Sequence, residues 1–199
     1  MPQAEFFASF GLLMERDFLE SALCEELRDE MATAAGHASL VGEEAADTVD
    51  QVYRKSHTAH VSDATQSLVT SRLEKLTPKV ESHFETPLTG CQPPQFLRYA
   101  EGDYFRAHAD HEAHGPDHVT ERRISAVIFL NSEGEEPEPG TYGGGELTFF
   151  GLMDEPRGDA LGFPLQGEQG LLVAFRSDLV HSVTPVTHGE RFTVVSWFV

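Results

Sequence analysis

Residues 95–110 read QFLRYAEGDYFRAHAD: two short runs rich in aromatic and aliphatic residues, QFLRYA and YFRAHAD, divided by the turn-forming Glu101, Gly102 and Asp103. The same design repeats toward the C-terminus in RRISAVIFLN (122–131), GELTFF (145–150), GLLVAFR (170–176), HSVTPV (181–186) and RFTVVSWFV (191–199), with Gly, Pro, Asp and Glu clusters between them. Short strands at near-regular spacing with turn signals between them predict an all-β core, a barrel or a two-sheet sandwich. NSEGEEPEPGTYGGGE (131–146) reads as a long loop, with GGGE marking a tight turn or bulge.

Upstream of Pro94 the period changes. Phe6 to Met14 reads as an opening strand, and Asp17 stands where a helix N-cap belongs, ahead of Leu19, Leu23, Leu27 and Met31 at four-residue spacing. Gly36 is placed to close that helix. An acidic stretch, GEEAADTVD (42–50), leads to VYRKSHTAHVS (52–62), whose alternation predicts an extended run. A second helix is expected over 62–84 with Val69, Leu73, Leu76 and Val80 inward, kinked or divided by Pro78. The fold class is thus mainly β (α+β), with N-terminal helices packed on one face of the β core. Residues 1–199 suit one domain, 1–93 as helical and strand support and 94–199 carrying the site.

The chain has 14 Lys+Arg against 33 Asp+Glu, a formal net charge of -19, and that field repels phosphate backbones and anionic membranes. No nucleic acid and no membrane partner are expected. The two cysteines are too few for a disulfide scaffold, and no apolar run reaches the length of a membrane span, which leads us to expect a cytoplasmic protein. Nothing in the sequence fixes an oligomeric state.

Chemistry concentrates in FRAHAD (105–110). Alternate residues of a strand share a face, so His108 and Asp110 are expected to point the same way, about 7 Å apart. His181 follows a turn-like RSDLV (176–180) at the start of another strand. Two imidazoles and a carboxylate form the facial triad that leaves positions open on a non-haem iron(II). A bidentate 2-oxo acid suits those positions, and its far carboxylate then needs a cation. Arg191 is placed to supply it from the last strand, with Thr193 on the same face to add a hydroxyl and Tyr99 as a second donor.

FLRYAEGDYFRAHAD (96–110), GGGELTFF (143–150) and FRSDLVHSVTPVTHGERFTVVSWF (175–198) together resemble the prolyl 4-hydroxylase-like branch of the iron(II)/2-oxoglutarate oxygenases, with weaker echoes in LLMERDFLESALCEEL (12–27) and VYRKSHTAHVS. The resemblance implies a double-stranded β-helix (jelly-roll, cupin-like) core. It matches His108, Asp110 and His181 to the iron ligands, Arg191 to the residue binding the distal carboxylate of 2-oxoglutarate, and Tyr99 to its neighbouring tyrosine. It also implies dioxygen as co-substrate, support by ascorbate, and hydroxylation of an aliphatic C–H. The foremost substrate is a prolyl residue of a protein or peptide, seated between loops 52–62, 111–121 and 132–144. A free amino acid or small-molecule substrate, a non-catalytic metal-binding barrel and a nucleic-acid demethylase are the alternatives. Collagen-type members carry lysine where this chain has Arg191, which sets it nearer the smaller microbial relatives. The carboxylate at Asp110 separates it from the related halogenases.

The remaining histidines, His37, His57, His60, His83, His114, His118 and His188, read as solvated or locally hydrogen-bonded, and His111 as structural because it faces away from Asp110. Trp197 and Tyr99 also fit as core aromatics, and Arg54, Lys55 and Ser56 as an exposed polar edge.

Overall fold

The computed structural model describes residues 3–34, 36–38, 53–153 and 161–199, and the acidic stretch at 42–50 lies outside them. The chain runs α1 (Gln3–Ala8), β1 (Leu13–Glu15), α2 (Ser21–Thr33), β2 (Gly36–Ala38), β3 (Arg54–Lys55), β4 (His57–Ala59), α3 (Asp63–Phe84), β5 (Gln95–Tyr99), β6 (Tyr104–His108), α4 (Asp117–Thr120) and β7 (Ile124–Phe129). It continues through β8 (Tyr142–Gly144), β9 (Leu147–Phe149), β10 (Phe163–Leu165), β11 (Leu172–Arg176), β12 (His181–Val183), β13 (Val186–Gly189) and β14 (Arg191–Phe198). A seven-stranded sheet ordered β1-β11-β7-β14-β5-β4-β2 faces a five-stranded sheet ordered β10-β9-β12-β6-β3, and β13 pairs with β8 apart from both. This is a double-stranded β-helix core with helices added.

Two apolar clusters explain the layers. Leu97, Tyr99, Val127, Phe129, Val173 and Phe175 from the large sheet meet Leu147, Phe149, Leu165 and Val183 from the small one, filling the space between the sheets. On the far side of the large sheet, Ile124, Ala126, Ile128, Phe192, Val194 and Phe198 pack against Leu27 and Met31 of α2 and Val69, Leu73, Leu76 and Val80 of α3. Covered on both faces, β7 is buried at every residue, which is why ISAVIF lacks the alternation of a strand with one wet face. The predicted helical cover on one face is therefore present.

Several local expectations give way. The first part of the opening segment is helix α1, not strand: its buried residue Phe7 meets Phe149 edge-on at 5.8 Å between centroids, and an apolar run this short fits either period. Only after the turn at Gly11 (φ 85°) does β1 pair with β11. Asp17 is not a helix cap. It sits in the left-handed region (φ 53°) of a turn held by Gly170, whose carbonyl accepts from the Phe18 and Leu19 amides, and the N-cap is Glu20. Gly36 opens β2 instead of closing α2, whose C-cap is Ala34. Pro78 does not divide α3, which runs unbroken for 22 residues: Ser62 caps its start, Pro78 lies on the exposed side and the buried stripe holds the axis. The loop at 131–146 contains β8, and HSVTPV divides into β12 and the start of β13.

Candidate metal centre

The site forms where the two sheets meet, at the ends of β6 and β12. Their ladder is irregular: His181 pairs with His108 and Val183 with Phe105, so three steps along β6 oppose two along β12. This bulge at Arg106 and Ala107 leaves both exposed and returns Phe105 and His108 to the same face, where their rings stack with centroids 3.6 Å apart. Asp110 lies past the end of β6, in a bend, and not on the strand as its spacing from His108 predicts. The approach comes from the bend.

His108, Asp110 and His181 bring one ligand atom each to within 4.8 Å of one another, and among the described residues no other group of His, Cys, Asp or Glu does so. His108 Nε2 is 3.6 Å from Asp110 Oδ1, and His181 Nε2 is 3.6 Å from Asp110 Oδ2. Each imidazole donates its other nitrogen to a carbonyl two residues back, His108 Nδ1 to Arg106 at 2.8 Å and His181 Nδ1 to Leu179 at 2.9 Å. Those bonds fix the tautomer that leaves Nε2 free to ligate. Burial pushes the His181 imidazole toward its neutral form against the pull of Asp110. Burial alone raises the Asp110 carboxyl, but the charges of His181 and His108 and the Ser125 hydroxyl outweigh it and hold the group well below the usual carboxylate range. Neutral imidazole and ionised carboxylate are the forms that bind a divalent cation. Phe149 and Phe175 wall the His181 side, with Phe175 at 4.8 Å between centroids.

Deeper between the sheets, Arg191 opens β14 directly opposite Tyr99 of β5. It is 1% exposed, its guanidinium lies 5.1 Å from the Tyr99 ring and 5.2 Å from the Phe129 ring, and Nη1 donates to Thr193 Oγ1 at 3.3 Å. Among the described residues no carboxylate oxygen comes within 4.0 Å, and Arg191 Nε has no hydrogen-bond partner. Glu133 is within electrostatic reach, its carboxyl raised by burial against the pull of Arg191, but it forms no salt bridge among the described residues, and a buried cation without a directly paired anion carries a desolvation cost. Tyr142 adds a second unmet group. It is fully buried, its hydroxyl turned to the Arg191 guanidinium without a well-formed hydrogen bond, and burial pushes its pKa up to about 12, so it stays protonated. Glycines make room here: a Cβ at Gly145 (φ 63°) would stand 2.9 Å from Arg191 Cδ, and one at Gly167 would stand 2.1 Å from the Tyr142 hydroxyl. This polar nest in an apolar wall fits a carboxylate, and the three-residue cluster fits a divalent metal.

Of the six residues singled out in the sequence, the structure brings His108, Asp110 and His181 together and sets Arg191 with Thr193 and Tyr99 in a second group, Tyr99 contributing a ring face to Arg191. Sequence reasoning missed four others. Tyr142 was hidden in a stretch read as loop. Ser125 and Ser177, both 1% exposed, join Asp110 through hydroxyls, and nothing distinguishes them from other strand and turn serines. Arg122 stacks on Trp197 with Cζ 3.6 Å from the ring centroid and donates to the Asp110 carbonyl at 3.3 Å. Outside the site, His57 Nε2 lies 3.8 Å from Asp103 Oδ2, His83 Nε2 bonds the distant Gly11 carbonyl, and His188 Nε2 is buried without a hydrogen-bond partner among the described residues, unlike the solvated or locally bonded role expected of it. Among the described residues no helix is long and apolar enough to cross a membrane.

A family model described as the 2OG-Fe(II) oxygenase superfamily matches residues 94–199. A PKHD-type hydroxylase of Shewanella sp. (strain MR-7) is 35% identical over 106 residues, 53% of this chain and 42% of that protein. A PKHD-type hydroxylase of Burkholderia thailandensis is 34% identical over 108 residues with the same coverage. The match therefore spans less than half the length of these curated relatives. Among solved structures, a Pseudomonas putida prolyl-4-hydroxylase superposes with TM-score 0.67 at 22% identity, covering 100% of this chain and 98% of that one. A Trichoplax adhaerens prolyl hydroxylase in complex with a hypoxia inducible factor peptide fragment superposes with TM-score 0.64 at 16% identity, covering 98% and 86%. At these identities the structural likeness establishes the fold.

Proposed function

The chain belongs to the 2OG-Fe(II) oxygenase superfamily, and on that premise we propose that it is an iron(II)- and 2-oxoglutarate-dependent dioxygenase that hydroxylates an aliphatic C–H, foremost of a prolyl residue in a protein or peptide. The observation that carries this reading is the presence of two unsatisfied centres in the same β core. One is three converging ligand atoms, and the other is the buried guanidinium of Arg191 without a carboxylate. Either alone has structural explanations. Together they ask for a metal and a small dianion.

His108, Asp110 and His181 would hold iron(II) from one side, leaving the opposite positions open. Arg191 would bind the far carboxylate of 2-oxoglutarate, with Thr193 and the Tyr142 hydroxyl donating beside it and the rings of Tyr99 and Phe129 fixing the guanidinium plane. When bound, the metal, the 2-oxo acid and dioxygen supply the oxidising power to insert oxygen into a C–H bond. Phe105, Phe149 and Phe175 keep water from the ligating face.

The prolyl assignment is supported by the names of the structural neighbours above, a prolyl-4-hydroxylase and a prolyl hydroxylase in complex with a peptide fragment, and the curated relatives support hydroxylation. A peptide substrate needs an open groove, which we place along the loops 53–62, 111–121 and 132–144. Ascorbate support and a cytoplasmic setting belong to the same reading, as does one domain with its site in 94–199. The test is turnover: protein, iron(II), 2-oxoglutarate and ascorbate are incubated with proline-containing peptides and with free amino acids. Succinate release coupled to a mass gain of one oxygen on a peptide is expected. Release only with a free amino acid moves the reading to small metabolites, and none under any condition overturns it.

A further inference from the structure

We propose that Ser125 and Ser177 form a hydroxyl relay that positions Asp110 and sets how tightly the three-residue site holds its metal, an inference that rests on Asp110 being a ligand. Asp110 lies beyond the end of β6, outside its ladder, so its placement depends on other contacts. Ser125 Oγ donates to Asp110 Oδ2 at 2.7 Å, and Ser177 Oγ lies 2.9 Å from Ser125 Oγ, where it can donate in turn. Ser177 also grips the same bend through its backbone: its carbonyl accepts from the Asp110 amide at 2.8 Å and the His111 amide at 2.9 Å. Both hydroxyls are walled from solvent, Ser125 standing on β7 between Phe175 of β11 and Trp197 of β14.

The consequence is selective. A carboxylate can ligate through either oxygen or both, and a hydroxyl donated to Oδ2 leaves Oδ1 as the better electron-pair donor toward the metal. The chain of hydroxyls also polarises cooperatively, so Ser177 strengthens the bond that Ser125 makes. Ser177 acts on Asp110's carboxylate only through Ser125. The two are positioning residues, set on a rigid buried strand and on the turn that follows its neighbour.

Calorimetric titration of cobalt(II) into the metal-free full chain tests this, read with the cobalt absorption spectrum. Removing such a supporting partner typically weakens metal binding by about tenfold or more. S125A is expected to weaken cobalt binding by about tenfold and to alter the spectrum, while its metal-free melting temperature stays close to the wild type. S125T, which keeps the hydroxyl, is expected to restore most of the affinity. S177A is expected to weaken binding less, and S125A/S177A to match S125A alone, because the second hydroxyl works through the first. Wild-type affinity in S125A, or additive losses in the double variant, overturns the relay. If S125A fails to fold, S177A on the turn carries the test, and unchanged affinity there overturns it too. D110A is expected to lose cobalt binding; if it binds cobalt like the wild type, the ligand assignment itself falls and takes the relay with it.

Discussion

The two sheets do different work. The small sheet contributes His108 and His181 from strands of five and three residues whose ladder slips by one, and their ends stand near the opening of the barrel. The large sheet contributes Arg191, Thr193 and Ser125 from β14 and β7, which pair in unbroken register over six residue pairs and are walled by apolar side chains on both faces. Metal ligands therefore sit where backbone irregularity aims them, and the groups placed to receive a carboxylate sit where regular packing fixes them. The first arrangement tolerates exchange of a ligand sphere, and the second gives a buried charge a rigid home.

The sharpest way to break this division is at the ligating atoms. His108→Ala or Asp110→Ala is expected to abolish metal-dependent succinate release, read by coupled assay, while circular dichroism stays as in the wild type. Unchanged turnover refutes their place in the site. Next, Leu73→Ala removes a fully buried side chain behind the large sheet and is expected to cost about 3 kcal/mol in urea unfolding, leaving metal affinity intact. A loss of cobalt binding in that folded variant would show that the two faces of the sheet are coupled. Arg191→Ala is expected to raise the 2-oxoglutarate requirement by roughly tenfold or more, the range of one charged hydrogen bond, without moving metal affinity. Tyr142→Phe keeps the ring and removes one donor, so a rise of about fivefold in the same requirement is expected, measured by the concentration dependence of succinate release. Arg106→Ala, on the outer side of the bulge, is expected to shift unfolding free energy by no more than about 0.5 kcal/mol and to leave metal binding alone.

How much of this was readable from the chain follows from the same division. Regular elements announce themselves, so β7 and β14 were visible as long apolar runs and the spacing from His181 to Arg191 placed one charge on the last strand. Arg191, Thr193 and Val195 alternate toward the inner side, as period-two counting requires: Arg191 donates to Thr193, and Val195 packs against the cluster between the sheets. Irregular elements hide. Counting by twos put Asp110 on a strand that in fact stops at His108, and it carried no sign of the bulge that lets Phe105 and His108 share a face despite odd spacing. A short aromatic run such as Phe6 to Met14 satisfies both periods, and the structure divides it, helix as far as Ala8 and strand from Leu13. Tyr142 lay among Glu, Pro and Gly residues that look like loop, and its importance comes from Arg191 across the barrel. Ser125 and Ser177 are 52 positions apart, and a pair made by folding leaves no local pattern to read.

The extra residue in β6 puts two successive side chains, Arg106 and Ala107, into water, where a regular strand would turn one of them inward. Exchanging either should be nearly silent, and removing one would leave Phe105 and His108 on one face by ordinary alternation while taking out the extra twist that a bulge adds. The length of this segment would then be read in how the imidazole is angled and not in which side of the sheet it occupies.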